Sequence, residues 1–81
     1  MNMQEFVAHV EHALDVPDGT LGEEDRLVDL EKWDSIGVLM VIAAVDRHYG
    51  VVLTGEALMQ CETVGEVAQR VEASRKETNA K

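Results

Sequence analysis

One cysteine, one proline and three aromatic residues are all that this 81-residue chain has of the groups that staple, turn or weight a small fold. A lone thiol cannot close an internal disulfide, which excludes the stapled scaffolds of small secreted domains and makes a cytoplasmic setting the expectation. No apolar run approaches the roughly 20 residues of a spanning helix, and no basic segment leads into an apolar one at the start. Membrane insertion is therefore not expected. Cations are scarce as well: seven Lys and Arg stand against sixteen Asp and Glu, for a net charge of −9. Such a surface repels phosphates, which excludes nucleic acid as a partner. It suits brief, electrostatically steered docking to basic patches on larger proteins. There is no internal repeat and no low-complexity segment. The length gives room for one small core, hence one domain over residues 1–73 and no enclosed active site, with a polar, slightly basic and disordered tail expected over 74–81.

What is present is helical periodicity. Phe6, Val10 and Leu14 recur at a four-residue step, with Met3, Val7 and Ala13 beside them, which predicts a helix from Met3 to Leu14 that Pro17 prevents from continuing. Residues 16–34 form a long connection whose apolar side chains, Leu21, Leu27, Val28 and Leu30, are expected to pin it to the body of the protein. A second helix runs from Ser35 or Ile36 to Tyr49, with Arg47 and His48 in its last turn and Gly50 as its C-terminal cap. After Val51-Val52-Leu53 a brief helix spans Gly55 to Gln60, and Thr63-Val64-Gly65-Glu66 opens the last helix as a capping box. The expected fold is all-α: a small four-helix bundle of three longer helices and one short one, with a long loop between the first and second.

Chemistry concentrates at Asp34-Ser35-Ile36. The segment from Asp15 to Asp34 carries eight acids against Arg26 and Lys32, whereas Ile36 to Val45 carries no charge. Ser35 sits on that seam, at a helix start where free N–H groups and the helix dipole favour a phosphate ester. An Asp-Ser pair there also reads simply as an N-cap. The second helix is apolar nearly all round, and a bundle this small cannot enclose it, so part of its apolar surface must face solvent or a partner.

With these elements in this order, the chain resembles the acyl carrier protein family from Met3 to Ala73. The resemblance rests on Asp34-Ser35-Ile36 where the family has Asp-Ser-Leu; on Leu39, Ile42, Val45 and Tyr49 at the core spacing of the second helix; on Tyr49-Gly50-Val51 closing it; and on Thr63-Val64-Gly65-Glu66-Val67. It implies a carrier without catalytic residues whose cofactor, 4′-phosphopantetheine, is attached to Ser35 by a phosphopantetheinyl transferase and holds acyl groups as thioesters. Asp34 would engage that transferase and its magnesium, a divalent cation being able to bridge a carboxylate and an incoming phosphate. The second helix would be the docking element for acyl-loading and acyl-processing enzymes, the carrier acting as a monomer. Two departures stand out. Trp33 occupies a position that is often Gly in the family, and the docking side presents Ile36, Gly37, Met40 and Ala44, followed by Arg47, where acids are usual. These point to a specialised carrier of a fatty-acid or polyketide-like pathway; an aminoacyl or peptidyl carrier is the alternative, and an unmodified helical interaction module the third reading.

Other residues are read more simply. A hydrolase would need a base near Ser35, and His48 lies nearly four helical turns away. His9, His12 and Glu5 share a face of the first helix, but a solvated face explains them, so no metal is expected. Glu23, Glu24, Asp25 and Asp29 lack EF-hand spacing and read as a solvated acidic loop. Met59 reads as core filling; Met40 could contact a bound acyl chain.

Overall fold

A computed structural model describes residues 2–79, with side chains described for 2–75. Four helices follow one another: α1 (Met3–Ala13), α2 (Ser35–Tyr49), α3 (Gly55–Met59) and α4 (Val64–Asn79), with one 3₁₀ turn at Leu27–Asp29 in the long connection. Asn2 caps α1 by accepting the Glu5 N–H at 3.1 Å. The helix ends in a Schellman arrangement: the Asp15 N–H donates to the His12 carbonyl at 3.1 Å and the Val16 N–H to the Glu11 carbonyl at 3.0 Å, with Asp15 in the left-handed region at φ 58°. Thr54 caps α3 through the Ala57 N–H, and Thr63 caps α4 through the Glu66 N–H.

The core is built from the periodic positions. Phe6, Val10 and Leu14 of the first segment pack with Val41 and Val45 of α2, Leu53 and Leu58 around α3, and Val64, Val67 and Val71 of α4. Helix α2 is central, packing against α1, α3 and α4. Its buried line runs through Val41 and Val45, with Val38, Ile42 and Tyr49 half-buried at its borders. Leu39 departs from the expectation for that line. At 63% exposure it faces outward, because it falls on the stripe of Ile36 and Met40 rather than on that of Val41.

The long connection is held chiefly by backbone. The Leu27 N–H donates to the Glu62 carbonyl at 2.9 Å, the Val64 N–H to the Asp25 carbonyl at 3.1 Å, and the Gly65 N–H to the Glu23 carbonyl at 2.8 Å. Leu27 is buried, while Leu21, Leu30 and Trp33 pack partly on the core; Val28, expected to pin the loop, is exposed because the 3₁₀ turn points it away. A buried acid supplies a further anchor. Glu11, on the inner side of α1, accepts the Leu21 N–H at 2.8 Å. The polar tail expected from residue 74 differs too: α4 continues through it to Asn79, since Arg75, Lys76 and Glu77 favour helix and neither Gly nor Pro interrupts. Residues 80 and 81 lie outside those described.

Candidate functional site

The loop delivers its last residues to α2 through a tight backbone passage. The Trp33 N–H donates to the Leu30 carbonyl at 3.0 Å and the Asp34 N–H to the Lys32 carbonyl at 2.9 Å, which leaves Asp34 extended as the N-cap. The Asp34 Oδ1 accepts the Gly37 N–H at 2.8 Å, and its carbonyl accepts the Val38 N–H at 2.9 Å. Ser35 is consequently the first residue of the helix and not its cap. It is exposed, and among the described residues its hydroxyl makes no hydrogen bond. The division of labour has a physical basis: the extended residue just before the helix is the one whose side chain reaches back to its free donors, and Asp34 fills that place, so the serine oxygen is spared.

That arrangement qualifies the electrostatics expected at Ser35. The helix dipole favours a phosphate there, but the Asp34 carboxylate stands beside it and two of the first N–H groups are already engaged. A phosphodiester joining this site brings one more negative charge next to Asp34 and gains from a bridging cation, which is the situation expected of Asp34.

Gly37, expected on the docking side, is instead buried. A Cβ at this position would fall inside the van der Waals sphere of the Lys32 carbonyl oxygen and 3.1 Å from Leu14 Cδ2. Its role is to let the loop cross α2 closely. The other residues expected on that side lie along the helix with differing exposure. Ile36 and Met40 are 71% and 49% exposed, Arg47 is exposed, and Ala44 is half-buried. Leu39 and Ala43 complete the outward stripe, so the exposed line is Ile36, Leu39, Met40, Ala43 and Arg47. Stepping by three and four from Ile36 identifies that line from sequence; assigning Leu39 to the core concealed it.

The far end of α2 holds an aromatic cluster that sequence periodicity does not reveal. The His9 ring stacks on His48 with centroids 3.8 Å apart and meets Tyr49 edge-on at 5.7 Å, while the Arg75 guanidinium lies 5.5 Å above the Tyr49 ring. Burial and the neighbouring His48 hold the His9 pKa below its usual value, against the opposing pull of Glu5. Burial raises that of Tyr49. His9 is thus committed to His48, and among the described residues no three His, Cys, Asp or Glu side chains gather as a metal site. Among the described residues, too, no helix is long and apolar enough to cross a membrane.

A helical bundle that displays one unbonded hydroxyl at the head of its central helix, with an apolar stripe running from it, has the form of a carrier domain. Residues 4–71 match the family model for the phosphopantetheine attachment site. An acyl carrier protein MbtL from Mycolicibacterium paratuberculosis (strain ATCC BAA-968 / K-10) is 40% identical over 53 residues, covering 65% of this chain and 60% of that protein. A second acyl carrier protein MbtL, from Mycobacterium sp. (strain MCS), is 36% identical over 50 residues, covering 62% of this chain and 56% of that protein. The matches therefore span less than two thirds of either relative's length. The solution structure of a holo acyl carrier protein from Geobacter metallireducens superposes with a TM-score of 0.79 at 20% identity, covering 99% of this chain and 93% of that one, which shows the shared fold. The chain belongs to the acyl carrier protein family of phosphopantetheine-bearing domains. The matched domain, residues 4–71, is a non-catalytic carrier whose prosthetic group is 4′-phosphopantetheine.

Proposed function

We propose that Ser35 carries the arm, and that this protein holds acyl intermediates for separate enzymes of a specialised fatty-acid or polyketide-like pathway in the cytoplasm, acting as a monomer. The observation that carries the assignment is the Ser35 hydroxyl, exposed and unbonded at the first position of α2 because Asp34 takes over the capping. The bound arm supplies a thiol that forms thioesters with the cargo. The chain's own residues do the rest. Ser35 Oγ would hold the arm as a phosphodiester, losing its proton as the pyrophosphate bond of coenzyme A breaks and the adenosine bisphosphate leaves. Asp34 keeps Oδ1 on the Gly37 N–H and leaves its other oxygen for the transferase's magnesium. The stripe from Ile36 to Arg47 docks the partner enzymes. Its apolar character favours partners with apolar complements over those that read an acidic helix, since specificity is a difference between affinities.

Intact mass after incubation with coenzyme A and a phosphopantetheinyl transferase tests the assignment. The arm's mass should appear on the native protein and not on Ser35→Ala, whose melting temperature should stay within a degree or so because the lost hydroxyl caps nothing; a Ser35→Ala protein that gains the arm refutes it. Offering the holo-protein acyl and aminoacyl donors with their loading enzymes then tests the cargo class, with aminoacyl loading alone overturning the acyl reading.

A further inference from the structure

A cleft of about 310 Å³ opens directly beside Ser35, between the end of α1 and the start of α2. Ala13, Leu14 and Asp15 line it from the end of α1, Ile36, Gly37 and Met40 from α2, and Lys32 and Asp34 from the last residues of the loop. Two larger hollows, of about 540 and 440 Å³, are lined by other residues, and neither includes an immediate neighbour of Ser35. We infer that this cleft seats the first segment of the arm, the branched pantoyl unit with its paired methyl groups, while the amides and the thiol beyond it stay in solvent. The inference rests on Ser35 being the attachment residue.

Three observations carry it. First, reach: Asp34 and Ile36, the chain neighbours of Ser35 on either side, both line the cleft, and in a phosphopantetheine ester the dimethyl carbon follows the phosphate after only a few bonds. Anything longer would have to fold back to enter. Second, chemistry: the uncharged lining is aliphatic with a methionine, which conforms to irregular apolar shapes, and the charged members Asp15, Asp34 and Lys32 leave the cleft one net negative charge, which does not favour a second anion. A branched, uncharged unit suits that lining; a free carboxylate does not. Third, Gly37 lacks a side chain and lets the Lys32 carbonyl approach α2, so the close crossing that leads the chain to Ser35 also brings the loop's end to the cleft, which Lys32 and Gly37 both line. Seating the arm at its root would fix the direction in which it leaves the protein without shortening the reach of its thiol end.

The test uses the full chain loaded with ¹³C-labelled pantetheine, with intact mass recorded first. Nuclear Overhauser contacts should link the paired methyl groups to the Met40 ε-methyl and the Ala13 β-methyl, and the Ala13, Leu14 and Met40 methyl resonances should move on arm addition. Ala13→Leu, which fills the cleft, should still gain the arm's mass but lose the contact to Met40. The native protein is decisive should that variant fold poorly. An arm that is present by mass yet touches only α3, or nothing, overturns the inference while leaving attachment at Ser35 intact. Absence of the arm's mass overturns the attachment reading and this one with it.

Discussion

Gly37→Ala puts the joint between loop and helix to the test. In an ordinary exposed helix position the change would stabilise by about 1 kcal/mol, because alanine is the better helix former. Here the added methyl meets the Lys32 carbonyl oxygen, which is itself held by the Asp34 N–H at 2.9 Å, and Leu14 Cδ2 at 3.1 Å. The obstacle is backbone that cannot rotate aside, so loop and helix must part by on the order of 1 Å. Overpacking of this kind costs typically 1–3 kcal/mol and sometimes more, and the movement strains the Asp34 cap, worth about 1 kcal/mol. The net loss should be about 1–3 kcal/mol, which in a domain of this size lowers the melting temperature by roughly 5–20 °C. Gly55→Ala, whose added Cβ would have no neighbour within 4 Å, should be neutral or slightly stabilising. Calorimetry on both variants, with transferase kinetics on each, checks the reasoning. Arm addition should slow in Gly37→Ala alone, since only there is Ser35 re-aimed. A Gly37→Ala protein as stable as the native one, or more so, would refute the close crossing.

Asp34 combines a cap with a charge, and two substitutions separate them: Asp34→Asn should keep most of the stability through its amide oxygen yet slow arm addition, while Asp34→Ala should lose about 0.5–2 kcal/mol as well. Equal transferase rates for native and Asn proteins would remove the charge from the mechanism. The His9 pKa is lowered in the folded state, so the unfolded chain binds its proton more readily; the stability His9 contributes is complete above about pH 6.5 and is lost as pH falls from there through the lowered value. Urea midpoints of the native protein and His9→Gln between pH 7.5 and 5 should converge on acidification, the difference cancelling the general relief of carboxylate repulsion. A gap independent of pH would exclude the histidine. Met40→Glu should leave the fold intact, the side chain being half exposed, but weaken transfer from the protein's own loading enzyme and improve acceptance by enzymes that read acidic helices; unaltered rates with every partner would sink the docking stripe.

The helices, the caps at Gly50 and Thr63 and the place of Ser35 at a helix start were legible in the sequence because they follow from local rules. Four-residue apolar steps define α1, Gly50 in the left-handed region at φ 67° ends α2, and Thr63 caps α4 through the N–H of Glu66 three residues on. The hydroxyl proposed to carry the arm is likewise local, an Asp-Ser pair where acid gives way to apolar chain. Tertiary structure decided what depends on which surfaces meet. Leu39 and Val41 are both apolar, and only the placement of α1, α3 and α4 around α2 turns one outward and the other in. Gly37 offers no side chain for a pattern to read; its importance lies in a carbonyl five residues earlier crossing above it. Glu11 reads as one more surface acid until the loop brings the Leu21 N–H to it, and His9 meets His48 only because α1 and α2 pack side by side. Periodicity reports a residue's relation to its own helix, whereas burial, cleft and stripe are properties of the gaps between helices, which exist only once they have packed.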